Sequence, residues 1–266
     1  MKLGFIGAGE MGSSIIKGLL AHGYEKENIM ASVRTPESMA RLQSALGITA
    51  VVDNARVFRE ADWIFLAVKP AQMPEVLAQI VAEKIPSKPL VSMALGWTVE
   101  KIQHVLPAWP VIRIMPNTPL SVGEGMTLFD FANETPAPTR CEVMKLFEKM
   151  GKSLEVAPNL FDAATAVSGS GPAFVYAFID ALAQGGVGQG MDEKQAILLA
   201  AQTVLGAAKL AMTSHETPNE LARKVATPGG CTAEGMKEVD ASDLKAILQK
   251  AVAATTRKAE EVSKKS

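Results

Sequence analysis

The sequence predicts an α/β domain built on a parallel sheet, followed by an all-helical segment. Two observations predict this. Short apolar runs alternate with amphipathic stretches through the first half, and strand-like runs stop after about Pro158. The apolar runs at 2–6, 29–33, 49–52, 63–68, 90–93 and 111–115 read as strands, and the stretches at 11–21, 36–46 and 73–83 between them read as helices. Alternation of this kind implies parallel strands with helices on both faces. Residues 127–131 and 153–156, around a helix at 138–150, extend the sheet. From Asn159 onward, Ala-, Leu- and Gln-rich segments recur at helical spacing. Gly169-Ser170-Gly171-Pro172 interrupts them, with Pro172 suited to the first position of a new helix. Asp192 caps a helix at 193–212, and Pro228-Gly229-Gly230 is the last strong break. The tail 257–266 mixes Lys and Glu, as a solvated helix end does. The expected division is therefore 1–158 and 159–266.

Composition narrows the function. The 266 residues carry 27 Lys plus Arg against 28 Asp plus Glu, a net charge of -1. A nucleic-acid binder would show a basic excess. The two cysteines, Cys141 and Cys231, are far apart, and His22, His104 and His215 are scattered. Neither a disulfide framework nor a metal site is expected. The chain opens directly on an apolar run and a glycine turn, with no signal-peptide pattern. The apolar stretch 172–183 contains Asp180 and falls short of the ~20 residues that span a bilayer. A cytoplasmic protein without a membrane partner is the expectation. The mean hydropathy of +0.14 points to apolar surface covered in an oligomer.

Gly7-Ala8-Gly9-Glu10-Met11-Gly12 has the spacing G-x-G-x-x-G, directly after the strand ending at Ile6 and before an amphipathic helix. In that context Gly7 permits a tight turn, Gly9 lets a pyrophosphate approach the backbone, and Gly12 lets helix pack on strand. The helix N-terminus offers N–H groups and partial positive charge to phosphates. Cofactor choice is made at the end of the second strand. There the chain reads Ser32-Val33-Arg34-Thr35, with no acid before Glu37. A carboxylate would repel a 2′-phosphate, whereas Arg34 with the Ser32 and Thr35 hydroxyls would bind one, so NADPH is expected over NADH. The alternative is that Arg34 is an exposed loop cation and cofactor choice is open. Asn54, Ala67-Val68-Lys69-Pro70, Met93 and Asn117 follow later strands and should line the cofactor. Lys69 either holds a phosphate or faces solvent. Asn117, in the stiff Met115–Pro119 loop, can present an amide to a nicotinamide or substrate.

The helical half offers hydroxyls and glycines in place of a histidine constellation. Thr227-Pro228-Gly229-Gly230-Cys231-Thr232-Ala233 is a glycine turn feeding a helix. Its N–H groups could hold a substrate carboxylate, Thr227 could help fix it, and Thr232 could hydrogen-bond the reacting group. A plain helix-entry turn accounts for the same residues equally well.

These motifs together resemble the pyrroline-5-carboxylate reductase family. The resemblance covers essentially the whole chain. It is carried by Gly4-Phe5-Ile6-Gly7-Ala8-Gly9-Glu10-Met11-Gly12, Leu66-Ala67-Val68-Lys69-Pro70, Arg113-Ile114-Met115-Pro116-Asn117-Thr118-Pro119, Gly169-Ser170-Gly171-Pro172-Ala173 and Pro228-Gly229-Gly230-Cys231-Thr232. It implies a Rossmann domain followed by an all-helical dimerisation domain, with dimers that assemble further into a pentamer of dimers. It also implies an oxidoreductase of proline biosynthesis that reduces L-1-pyrroline-5-carboxylate to L-proline with NADPH or NADH. Thr232 matches the family's threonine beside the ring nitrogen. Thr227, Gly230, Cys231 and Ala233 match the carboxylate-binding turn, with Gly229 inside it. Ser32, Arg34 and Asn54 match cofactor-ribose and 2′-phosphate positions. Thr227 stands where the family usually has Ser, and Cys231 where it often has Thr or Ala.

Two other readings share parts of this pattern. A 3-hydroxyacid dehydrogenase has the same two-domain plan, but its alcohol chemistry needs a base, typically a lysine on a helix of the second domain. The segment 168–173 carries no lysine. A non-catalytic NADPH-binding regulator would not need the second glycine turn and its hydroxyls.

Overall fold

The computed structural model describes residues 1–107 and 109–265. Its first part runs β1 (Leu3–Ile6), α1 (Glu10–Ala21), β2 (Ile29–Ser32), α2 (Pro36–Leu46), β3 (Thr49–Val51), α3 (Asn54–Glu60), β4 (Trp63–Leu66) and α4 (Met73–Ala82). It continues with β5 (Leu90–Ser92), α5 (Val99–Val105), β6 (Val111–Met115), β7 (Gly125–Phe131), α6 (Ala137–Glu148), β8 (Gly151–Glu155) and α7 (Phe161–Ser168). The strands form one eight-stranded sheet in the order β3-β2-β1-β4-β5-β6-β7-β8. Register pairs Phe5 with Ala31 on one side and Phe65 on the other.

All pairings up to β6 are parallel, each made through a crossover that returns the chain to the same end of the sheet. The β6–β7 link holds only a 3₁₀ turn, Thr118–Val122, closed by Gly123 at φ 78°. Too short for a crossover, it forces β7 antiparallel, with Arg113 opposite Asp130. Helix α6 then restores a crossover, so β8 lies parallel to β7. The Rossmann-type sheet is thus parallel through six strands, and its two added strands run the other way.

Side chains alternate across the sheet with period two, as strands buried on both faces require. Leu3, Phe5, Ile29, Ala31, Phe65, Ile112 and Ile114 pack against Ile15, Ile16 and Leu19 of α1, Leu42 of α2 and Phe147 of α6. Ile6, Met30, Ile64, Leu66, Leu90 and Val111 pack against Val57 of α3, Leu77 of α4 and Ile102 of α5.

By chain contacts, residues 1–170 and 254–266 make one compact unit and 171–253 another. This differs from a division at Pro158, because α7 docks on the sheet. Phe161 is fully buried, and the Arg113 guanidinium lies 4.0 Å over its ring. Arg113 also pairs with Asp162 at 3.2 Å. The end of the last helix is fastened to the same unit. Lys101 Nζ donates to the carbonyls of Gly96 and Ser263, and Ser263 Oγ donates to Asp162.

The second unit holds α8 (Gly171–Gly188), α9 (Glu193–Thr213), α10 (Pro218–Val225), α11 (Cys231–Ala241) and the start of α12 (Leu244–Lys265). Asp192 accepts from the Gln195 amide and caps α9. Thr217 and Glu220 form a reciprocal capping box on α10. Helices α8 and α9 meet through a small core of Ala183, Ala196 and Ala200. Their remaining apolar surface is exposed, including Tyr176, Phe178, Leu198, Leu210 and Met212. The runs Pro158–Gly188 and Glu193–Thr213 are long and apolar enough to cross a membrane by length and composition. That corrects the count based on 172–183 alone: a single acid such as Asp180 does not end an apolar helix.

Candidate active site

Sheet order reverses at β1, which lies between β2 and β4. Ligands of open parallel sheets bind outside the carboxyl ends of strands at such a point. A cleft of about 1100 Å³ opens there. The turn after β1 is held tightly. Gly7 adopts φ 86°, and a Cβ on it would lie 2.8 Å from the Ala67 carbonyl oxygen, so no side chain is tolerated. Gly9 has open space where its Cβ would be, and no side chain caps α1 behind it. The backbone is therefore accessible to a ligand at the helix N-terminus, as phosphate binding requires.

Of the residues expected at the cofactor, Ile6, Gly7, Ala8, Gly9, Glu10, Ser32, Arg34, Asn54, Ala67, Val68 and Lys69 all line this cleft. The Ser32 hydroxyl is buried and has no hydrogen-bond partner among the described residues. Together with the open side of Gly9, this orphaned hydroxyl fits a bound dinucleotide. Asn54 Nδ2 donates to Gln79 Oε1 at 2.8 Å, which fixes the amide at the rim.

Five expected residues are not on the cleft wall. Gly12 is buried, and a Cβ there would stand 3.0 Å from both Ala67 Cβ and the Gly7 carbonyl oxygen. Its contribution is close helix packing. Met11 and Met93 pack against the hydrophobic core. The Pro70 carbonyl accepts from the Trp97 indole at 3.1 Å. Asn117 is almost fully buried, and both ends of its amide are engaged. Its Nδ2 donates to the Ser168 carbonyl at 2.9 Å, and its Oδ1 accepts from the Met126 amide at 2.8 Å. A backbone that bends sharply between β6 and β7 leaves polar groups behind, and Asn117 satisfies them.

The cleft also includes residues that motif reading did not single out: Ser13 and Lys17 on α1, Ser38 and Arg41 on α2, and Glu75 and Gln79 on α4. Their signal was helical spacing. Ser13 and Lys17 fall on the α1 face that starts at Gly9, and Ser38 and Arg41 fall on one face of α2.

In the second unit, the turn before α11 takes the shape its glycines suggest. Gly229 adopts φ 77°, and the Gly230 amide donates to the Thr227 carbonyl at 3.0 Å. Gly230 stands at the N-cap without a side-chain cap. A Cβ on Gly230 would meet Thr227 Oγ1 at 3.0 Å. The Ala233 amide bonds back to the Gly230 carbonyl at 3.1 Å, while the amides of Cys231 and Thr232 find no acceptor among the described residues. Thr227, Cys231 and Thr232 are exposed. This turn can offer two backbone donors and two hydroxyls to an anionic ligand. Glu216, close to the turn in sequence, is ion-paired to Lys224 at 2.7 Å.

Residues 158–262 match the family model for pyrroline-5-carboxylate reductase dimerisation, and residues 2–96 match that for coenzyme F420-dependent NADP oxidoreductases. A pyrroline-5-carboxylate reductase of Methanosarcina acetivorans is 38% identical over 267 residues, covering 99% of this chain and 98% of its own. The Escherichia coli enzyme of that name is 36% identical, covering 99% and 98%. The crystal structure of Plasmodium falciparum pyrroline carboxylate reductase with NADP bound superposes with a TM-score of 0.89 at 29% identity, covering 99% of this chain and 98% of that one. Similarity of this order along the full length, with the glycine motif and the second turn both formed, means that the chain belongs to the pyrroline-5-carboxylate reductase family.

Proposed function

We propose that this protein is a pyrroline-5-carboxylate reductase, reducing the C=N bond of L-1-pyrroline-5-carboxylate to give L-proline, the last step of proline biosynthesis. The observation that carries the reading is that one chain of this family carries both a dinucleotide cleft and an uncapped glycine turn, at Thr227–Ala233. NADPH, when bound, supplies the hydride. The residues of the first unit orient it: the Gly7–Gly12 loop receives the pyrophosphate, Asn54 and Ser32 the ribose, and Arg34 the 2′-phosphate. Lys69, which lines the same cleft, adds a further phosphate contact.

The substrate is a cyclic imine bearing a carboxylate. The turn at Thr227, Gly229, Gly230, Cys231 and Ala233 binds that carboxylate through backbone amides and the Thr227 hydroxyl. Thr232 hydrogen-bonds the imine nitrogen; protonation there makes the carbon more electrophilic. Orientation and exclusion of water provide most of the rate enhancement, because the imine is already activated. A 3-hydroxyacid dehydrogenase would need a base that the helix entry at 168–173 does not carry.

That the helical part of the chain carries dimerisation is supported by the match of residues 158–262 to the dimerisation model, a span that takes in α7 as well as the compact unit 171–253. The protein works as a homo-oligomer, a dimer through the helical unit and, on the family pattern, a pentamer of dimers. Its place is the cytoplasm, and the apolar faces of α8 and α9 are covered by a second copy rather than by lipid.

The test is NADPH oxidation with L-1-pyrroline-5-carboxylate, with a 3-hydroxyacid run in reverse as control. Turnover only with the first substrate is expected; its absence overturns the reading. Thr232→Ala should lower kcat about 100-fold with NADPH affinity unchanged. An unaltered kcat would remove Thr232 from the mechanism.

A further inference from the structure

We propose that the 2′-phosphate seat is a two-arginine clamp, in which Arg41 of α2 joins Arg34 and Ser38 supplies the hydroxyl donor. This rests on the cofactor reading above and adds to it a determinant that lies outside the β2 loop. Ser38, Arg41 and Ala45 follow at intervals of three and four residues, and all three line the cleft. That spacing puts them in one stripe of α2, facing the end of β2 where Arg34 lies. Neither the Arg34 nor the Arg41 guanidinium has an ion pair or hydrogen bond among the described residues. Both arginines are exposed and line the same cleft as Ser32, whose hydroxyl is orphaned.

The hydroxyl chemistry shifts from Thr35 to Ser38. Thr35 caps α2, accepting from the Ser38 amide at 3.2 Å and donating to Ser38 Oγ at 3.2 Å. It is committed to the helix start. Ser38 Oγ accepts that hydrogen bond and keeps its own proton for an outward acceptor.

Charge balance calls for the second cation. A phosphate monoester carries about -1.5 to -2 at neutral pH, so one guanidinium leaves it undercompensated. The N-terminus of α2 adds little. Pro36 at its first position has no amide hydrogen, and the Glu37 carboxylate sits there, its pKa lowered chiefly by its own backbone amide. Arg41 is the second guanidinium on the cleft wall, carried by a different element from Arg34. Two forks converging from β2 and α2 fix the phosphate as well as neutralise it.

The test is equilibrium binding of NADPH and NADH, followed by fluorescence transfer from protein to nicotinamide, for the unaltered protein, Arg41→Ala, Arg41→Lys and Arg34→Ala. Arg41 is exposed, so the substitutions leave the fold intact, and a thermal melt confirms it. Arg41→Ala should raise the NADPH Kd about tenfold while NADH stays within about twofold, with Arg41→Lys in between. Equal weakening of both cofactors would mean that Arg41 touches the common adenosine part, and no change in either would leave it in solvent; each result overturns the clamp. If the unaltered protein bound NADPH no better than NADH, the NADPH preference itself would fall, and the clamp with it. A loss of NADPH preference in Arg34→Ala alone, with Arg41→Ala unaffected, would instead leave Arg34 as the sole cation.

Discussion

Arg113 and Asp130 face each other across β6 and β7, both nearly inaccessible to solvent. Arg113 is held by Asp162 and by the ring of Phe161, and burial lowers its pKa. Burial pushes the Asp130 carboxyl up from 3.8 to about 6; Arg113 opposes that rise, and Glu100 and Glu155 add to it. The folded protein therefore holds this proton more tightly than the unfolded chain. Stability from this group is fully present below about pH 4 and is lost as pH rises through about 6. Asp130→Asn removes the titration, so urea unfolding at pH 4, 5, 6 and 7 should show a shallower fall in stability. An identical pH slope in both proteins would discount Asp130. The sequence marks Arg113 only as a member of a motif, because burial of a strand arginine depends on which helix covers it. Gly7, Gly9 and Arg34 were legible, since turn geometry and phosphate chemistry are local demands.

At the scale of elements, β6 to α7 shows how one side chain can tie three segments. Asn117 bridges the start of β7 and the end of α7, as described above. Asn117→Ala leaves a part-buried acceptor and a part-buried donor unpaired, which should cost about 1–3 kcal/mol by urea denaturation. A loss below about 0.5 kcal/mol would assign those backbone groups to other partners. Periodicity located the strands and the longer helices, because a two-faced sheet and an amphipathic helix impose their own repeats. By sequence the amide of Asn117 faces a nicotinamide or substrate, because residues just after parallel-strand ends normally meet the ligand. Its partners, at Met126 and Ser168, come together only through the reversal at β7.

For the whole molecule, the decisive feature is the apolar surface of the second unit. Leu198 on α9 is 68% exposed and Met212 65%, while the core between α8 and α9 consists of alanines. Such a surface needs a partner, and the family model for dimerisation covers it. Leu198→Glu should weaken self-association about 100-fold, read as a lower mass by size-exclusion with light scattering at low protein concentration. An unchanged mass would take α9 out of the interface.

The sequence by itself determined the alternating domain, the helical segment after it, the glycine loop and the second turn. Each is dictated by neighbours within a few residues, through side-chain period, permitted φ or a helix N-terminus. Tertiary structure decided the antiparallel turn of β7, the docking of α7 on the sheet, the internal use of Asn117 and the facing of Arg41 into the cleft. Those depend on which distant segments are brought together, and distant contacts leave no period in the chain that makes them.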